Sequence, residues 1–259
     1  MIKQKSAFSF NGYVLFFILL AAQVFFAFMV LKSIQQASPQ TELKVLVYIV
    51  LSVLVFIAWN GFFKVEPNEG KIFQMFGNYA GTEHKPGLRW TIPMLFKKTA
   101  ISLKVRNFES NKMKVNDSSG SPIEIAAVIV WRVVDSAEAF FEVDNFESFV
   151  TIQSESALRN LANQYPYEEH EEGGLSLRAD PQEIAEKMKI EIQERLSKAG
   201  VEVIEARISH LAYATEIAQA MLRKQQAGAV LAARKIIVQG AIEMVSDAID
   251  SLSKRNDFE

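Results

Sequence analysis

The chain has 259 residues, enough for one large domain or two small ones with a sizeable core, and its 28 basic and 30 acidic residues leave a net charge of -2. There is no basic field and no Lys/Arg cluster with interleaved aromatics, so no nucleic-acid partner is expected. The absence of cysteine removes disulfides, thiolate metal sites and a Cys nucleophile.

Charge is unevenly placed, because residues 1–63 hold Lys3, Lys5, Lys32 and Lys44 against a single acid, Glu42. After a tail at residues 1–11, Tyr13 to Leu31 reads YVLFFILLAAQVFFAFMVL, with Gln23 its one strongly polar side chain. At ~1.5 Å per residue this run approaches the ~30 Å hydrocarbon thickness of a bilayer. A cleaved signal peptide would show a shorter apolar region and a small-residue cleavage site, for which LKSIQQASPQ is a poor match. A second run, Val45 to Phe63, follows a connection containing Pro39, and Trp59 near its end suits the interfacial belt. Residues 12–63 therefore read as a transmembrane hairpin with both ends on one side. Lys3, Lys5, Lys64 and Lys71 flank those ends against Lys32 and Lys44 in the connection, which favours a cytoplasmic body. Neither run has a small-xxx-small glycine motif or a buried charge, so an anchor is expected rather than a channel.

From Val65 to Val134 strands alternate with turns: Pro67-Asn68-Glu69-Gly70, Gly77, Gly81, and then Asn116 to Pro122, where the sequon Asn116-Asp117-Ser118 reads as turn chemistry. The run IEIAAVIVWRVV places Ile123, Ile125, Ala127, Ile129, Trp131 and Val133 on one face, as in a largely buried antiparallel strand. A helical pattern opens at Asp135 as N-cap and runs to Pro166, with a break near Asp144-Asn145. Another begins at Asp180, with Pro181 at its first position, Glu183 at capping-box spacing, and Ile184, Met188, Ile192 and Leu196 on one face before Gly200. VEVIEARISHL then reads as a strand, giving an α+β body. From Thr215 to Lys254 there is no proline, so a single helix of up to ~60 Å is expected. Leu231, Val238, Ile242, Val245, Ile249 and Leu252 keep a 3,4 spacing along it, with Lys235 as intruder. Self-association along this seam is the expectation.

The stretches VEPNEGKIFQMFGNYAGT, KPGLRWTIP, ISLKVRNFES, SPIEIAAVIVWRVVD, IQSESALRNLANQYPY and LSKAGVEVIEARISHLAYATEIAQAMLRKQQA occur in an order that resembles the SPFH (band 7) domain of stomatins, prohibitins, flotillins and slipins, with the bacterial stomatin and slipin-like members most similar. The resemblance covers Phe62 to Leu252. It implies an SPFH/band 7 domain over residues 64–213, divided into SPFH1 (64–121) against the membrane and SPFH2 (122–213), followed by an oligomerising C-terminal helix at 214–259. It also implies a scaffold that assembles into large rings or cages, organises membrane microdomains and associates with membrane-bound proteases or channels. Two departures stand out. Many members have one span or a re-entrant hairpin, so membrane topology is not carried over. The chain also stops at Glu259, shortly after the coiled-coil pattern, where many relatives continue into an apolar segment that closes the ring, so lateral packing is expected ahead of cage closure.

Given that placement, the stretch HKPGLRWTIPMLFKK becomes the main site candidate. Pro86-Gly87 turns the chain, and Trp90, Ile92, Pro93, Met94, Leu95 and Phe96 are expected at the headgroup boundary, with Arg89, Lys97 and Lys98 facing anionic lipid. The competing reading is an edge loop whose apolar residues cover a small core. The expected partners are thus membrane lipids, further copies of the chain and a membrane protease or channel. No cofactor or metal is expected: Glu168, His170 and Glu172 in YEEHEEGG read as a solvated loop. No phosphate loop, GxSxG elbow or H-E-x-x-H is present, so an enzyme is not expected. A membrane-tethered hydrolase, or the obligate regulatory subunit of a membrane protease or channel, remains the alternative.

Overall fold

In the computed structural model, residues 4–35, 41–168 and 174–254 are described; His170, Glu172, Lys3 and the chain end at Glu259 lie outside them. A short strand β1 (Phe10–Asn11) leads directly into helix α1 (Gly12–Gln35), and α2 (Thr41–Ala58) follows. The stretches Gly12–Gln35 and Lys44–Gly61, with mean hydropathies of 2.8 and 2.0, are long and apolar enough to cross a membrane. Within an 18-residue window of each, only 0% and 6% is buried inside the protein, unlike the mostly buried core helix of a water-soluble body. Gln23 donates its amide to Ser52 Oγ at 2.9 Å, which ties the two helices together at the one strongly polar side chain of the first.

The second apolar run stops short of Phe63. Its helix ends at Ala58, Trp59–Gly61 forms one 3-10 turn, and Phe62 opens strand β2 (Phe62–Val65). The cause is a contact distant in sequence: Phe62 and Phe63 pair with Trp90 and Arg89, and at Gly61 an added Cβ would collide with Thr91 O, so the body's backbone already abuts the chain there. Next come β3 (Glu69–Met75), β4 (Asn78–Glu83), β5 (Gly87–Trp90), β6 (Lys97–Ser102), β7 (Arg106–Glu109), β8 (Met113–Asn116) and β9 (Pro122–Val133). The chain then forms α3 (Ser136–Phe141), α4 (Phe146–Gln164), α5 (Pro181–Leu196), β10 (Val201–Tyr213) and α6 (Thr215–Lys254). The sheets run in the orders β1-β5-β2, β4-β3-β6 and β10-β9-β7, with β8 also on β9.

The described residues form two compact units. The first falls within Met1–Ser110, Ala127–Leu161 and Asp180–Ile208, the second within Asn111–Ala126, Ala162–Ala179 and Ser209–Glu259. In the first, the later half of β9 buries Ala127, Ile129, Trp131 and Val133, and α5 buries Ile184, Met188, Ile192 and Leu196, as the periodicities require. Asp135 caps α3 by accepting from Ala137 N at 2.8 Å and Glu138 N at 3.0 Å. Asn145 accepts from Glu147 N and Ser148 N at 3.0 Å each, in the predicted break before α4. The capping box expected at Asp180 is not formed, since its side chain makes no cap bond, while Pro181 takes the first helical position as expected. Gly200 sits at φ +61, and its carbonyl accepts from Val134 N and Asp135 N, closing α5 onto the end of β9. In the second unit, Asp117 is buried and accepts from Ser119 N, Ser121 N and Tyr167 N, while α6 runs 40 residues to Lys254.

The residues before α1 belong to the first unit rather than to a free tail. Thr82 N donates to Lys5 O at 2.8 Å, Ala7 N donates to Thr82 O at 3.1 Å, and Ser9 donates to the Glu83 carboxylate. β1 pairs with β5, Phe10 opposite Trp90 and Asn11 opposite Arg89.

Two predictions follow from this packing. Met188→Ala removes a fully buried side chain and is expected to cost about 2–5 kcal/mol, whereas Ile190→Ala, at 58% exposure, stays within about 0.5 kcal/mol; guanidinium unfolding of the two variants checks the contrast. Burial pushes the Glu83 carboxyl up, but the Ser9 hydroxyl, the Lys85 N–H and the charges of Arg89 and Lys85 together hold it below the ordinary 4.5. Its stabilisation is therefore complete above 4.5 and lost as pH falls through the lower folded value. Melting temperature should drop over that acid interval in the wild type and drop less in Glu83→Gln.

Candidate membrane-facing surface

Where α2 ends, four helix carbonyls lack partners within the helix. One of them, Ala58 O, accepts the indole N–H of Trp90 at 2.7 Å. Trp90 is the last residue of β5, and its register partners are Phe62 on β2 and Phe10 on β1. Around it lies an aromatic collar: Phe16 stacks edge-on against Trp59 and Phe62, and Phe10 lies 6.3 Å from Trp90. Lys98 Nζ reaches Gly61 O at 3.5 Å and stands 4.7 Å over the Phe63 ring. Burial pushes its ammonium down from the ordinary 10.5.

These contacts divide the predicted stretch in two. Trp90, half-buried, is bonded to the helix end. Phe96, also half-buried, packs edge-on on Phe73 at 5.9 Å, Pro93 and Leu95 are half-buried, and Lys98 is held by Gly61 and Phe63. Ile92, Met94 and Lys97 are exposed, Met94 to 94%.

Met94 has φ +63 and follows Pro93 in its turn, a position where glycine or asparagine is the usual choice. Phe76 makes the same exception. It has φ +48, is 88% exposed, and with Gly77 at φ +88 forms the two-residue loop between Met75 and Asn78. The register puts these tips at one end of the β4-β3-β6 sheet, because Gln74, two residues before Phe76, pairs with Lys97, three after Met94. Lys98, next along β6, touches Gly61 at the end of the apolar hairpin. Phe76 and Met94 thus lie at the end of the sheet nearest Gly61, where the second apolar run ends. Sequence reasoning missed Phe76, although an aromatic directly before the glycine of a tight turn was a readable signal.

The model of the SPFH domain / Band 7 family matches residues 63–241. The chain belongs to the SPFH/band 7 family. A stomatin homolog of Pyrococcus horikoshii is 24% identical over 213 residues, covering 80% of this chain and 75% of that protein. SPFH membership carries a membrane-associated, scaffold kind of role, in a family whose members are in general not enzymes. The matched range of this SPFH chain contains both exposed turns and the first part of α6. Along α6, Leu231, Val238, Ile242, Val245, Ile249 and Leu252 are all at least half exposed, as are Val230, Ile237 and Met244, which the narrower predicted seam had omitted. In the second unit Glu168 pairs with Arg178 at 2.7 Å and accepts from the Gln225 side chain at the start of this helix.

The strain at the two tips makes a sharp prediction. Phe76→Asn and Met94→Gly put favoured residues at left-handed positions and should each stabilise the fold by roughly 1 kcal/mol, read as a higher melting temperature. Either substitution lowering the melting temperature instead would assign that side chain to packing.

Proposed function

We propose that this chain is a membrane-anchored scaffold: the hairpin crosses the bilayer, Phe76 and Met94 dip into the headgroup layer, and α6 assembles copies side by side. The assembled array organises the surrounding membrane and regulates an associated membrane protein such as a protease or channel. The observation that supports assembly most is the width of the apolar face on α6. Leu231, Val238, Val245 and Leu252 form one row, and Val230, Ile237 and Met244 form a second, offset by about 100° at 3.6 residues per turn. A two-stranded coiled coil covers only a narrow seam. A face this wide favours one neighbour on each side.

Membrane docking draws on the tips. Each large apolar side chain left in water forgoes about 1.5–3 kcal/mol of burial, and each sits in a backbone conformation that opposes it. Exposed Lys97 beside them adds attraction to anionic lipid of about 1 kcal/mol. Lys5, Lys64 and Lys71 lie with the body, so the positive-inside rule supports a cytoplasmic body at a bacterial inner membrane.

Val238→Asp combined with Ile242→Asp tests the assembly. Cross-linking in intact membranes should trap multimers of the wild type and only monomers of the variant, with membrane fractionation unchanged. A wild type that stays monomeric both in membranes and on native mass analysis sinks the scaffold reading. For docking, the cysteine-free chain allows a polarity-sensitive dye at Phe76→Cys or Met94→Cys. Doxyl-labelled lipid should quench it and aqueous iodide should not; the reverse pattern removes the tips from the membrane.

A further inference from the structure

The edge of β4 and the open side of β5 form a groove that accepts an extended strand, and residues 4–11 fill it. Both backbone groups of Thr82, itself 2% exposed, are taken by the segment, through Lys5 O and Ala7 N. Tyr79 OH bonds the backbone of Lys5, Gln4 meets His84, Ser9 meets Glu83, and Thr91 Oγ1 donates to Phe8 O at 3.3 Å. The fit is selective. Gly81 lies at φ +146, and a Cβ there would come 2.7 Å from Ala7 Cα, so Gly81 has no room for a side chain. The segment enters α1 without a linker, and a Cβ on Gly12, the first residue of α1, would come 2.7 Å from the Leu88 carbonyl carbon. At the other span, Gly61 abuts Thr91 and Trp90 holds Ala58. Three glycines thus stand at three points where span or segment meets β4 and β5.

We infer that residues 4–11 are the built-in ligand of a strand-accepting groove and clamp α1 to the first unit, as Trp90 clamps α2. A body suspended from α2 alone would leave the β4 edge open, a known site of unwanted strand pairing, and would swivel about Phe62. With both spans fixed, hairpin and exposed turns move as one piece, so the depth of Phe76 is set by the hairpin. The clamp rests on the reading of the hairpin as a membrane anchor; the groove does not.

The test uses the full chain in nanodiscs. Ala7→Pro removes the N–H given to Thr82 O without altering any residue of β4 or β5. Hydrogen exchange should show the Thr82 amide protected in the wild type and at least roughly tenfold faster in Ala7→Pro, with β9 and α5 unchanged. A Ser6→Cys, Thr82→Cys pair should form a disulfide under mild oxidant and restore protection to Ala7→Pro. In parallel, a dye at Phe76→Cys should lose quenching by doxyl lipid when Ala7→Pro is added. Thr82 exchanging freely in the wild type, or equally slowly in both, overturns the groove. Faster Thr82 exchange with unchanged quenching overturns the clamp alone, and a dye unquenched by lipid even with Ala7 present counts against membrane docking instead.

Discussion

The indole N–H of Trp90 on the carbonyl of Ala58 is the contact on which the rest of the first unit depends. A helix leaving hydrocarbon must find partners for its last carbonyls, because an unsatisfied polar group there costs several kcal/mol. Here one partner comes from the protein's own sheet, through a residue in the central strand of β1-β5-β2. The helix end thereby fixes β5, β5 positions the strands entering and leaving the spans, and the connected strands direct the Phe76 and Met94 turns to the same end. The aromatic collar of Phe16, Trp59 and Phe62 fills the space around this joint with rings suited to a boundary between apolar and wet surroundings.

Large apolar residues left outside the core include isolated ones such as Val105, Ile152 and Ile190, but the most exposed in the first unit are Met94 and Phe76, on two turns whose backbone disfavours the residue present, and many more lie along the two spans. In the second they line α6. Asparagine or glycine is the favoured choice at the left-handed positions of Phe76 and Met94, so backbone preference does not account for these residues. In the proposed scaffold, the headgroup layer returns the free energy of these costly conformations.

Much of this was legible in the sequence because its physical cause is periodic or local. The two spans, the alternation of Ile123 to Val133, the α5 stripe ending at Gly200 and the Asp135 cap each depend on a few neighbouring residues. What was not legible depends on contacts far apart in the chain. Trp90 reads as an interfacial aromatic until Ala58 is placed beside it, and Phe96 reads as exposed until Phe73 covers one face. The last residues of the second apolar run look like membrane until β5 recruits Phe62 and Phe63 into a sheet. Residues 4–11 have the composition of a tail, and only the open edge at Thr82 makes them a strand. On α6 the seam was visible, but its full width was not, because Ile237 beside Val238 looks like redundancy until residues 226–239 are all seen exposed.

In the proposed scaffold, the hairpin and the helix solve different parts of the assembly problem. The apolar face of α6 is interrupted by Arg234 and Lys235, while Glu216 lies in the first turn and the other acids, Glu243, Asp247 and Asp250, lie further along the helix. Parallel neighbours in register would set like charges side by side at a cost of a few tenths of a kcal/mol per pair. Such a seam is weak between proteins free in solution. Confinement to a membrane changes the balance, since a tethered neighbour acts at an effective concentration of about millimolar and the tether has already fixed its orientation. Weak contacts then suffice, and they remain reversible, which suits a scaffold that must admit other membrane proteins. On this view the joint at Trp90 contributes to assembly, because a body held at a fixed angle to the bilayer loses less orientational freedom when its neighbour arrives.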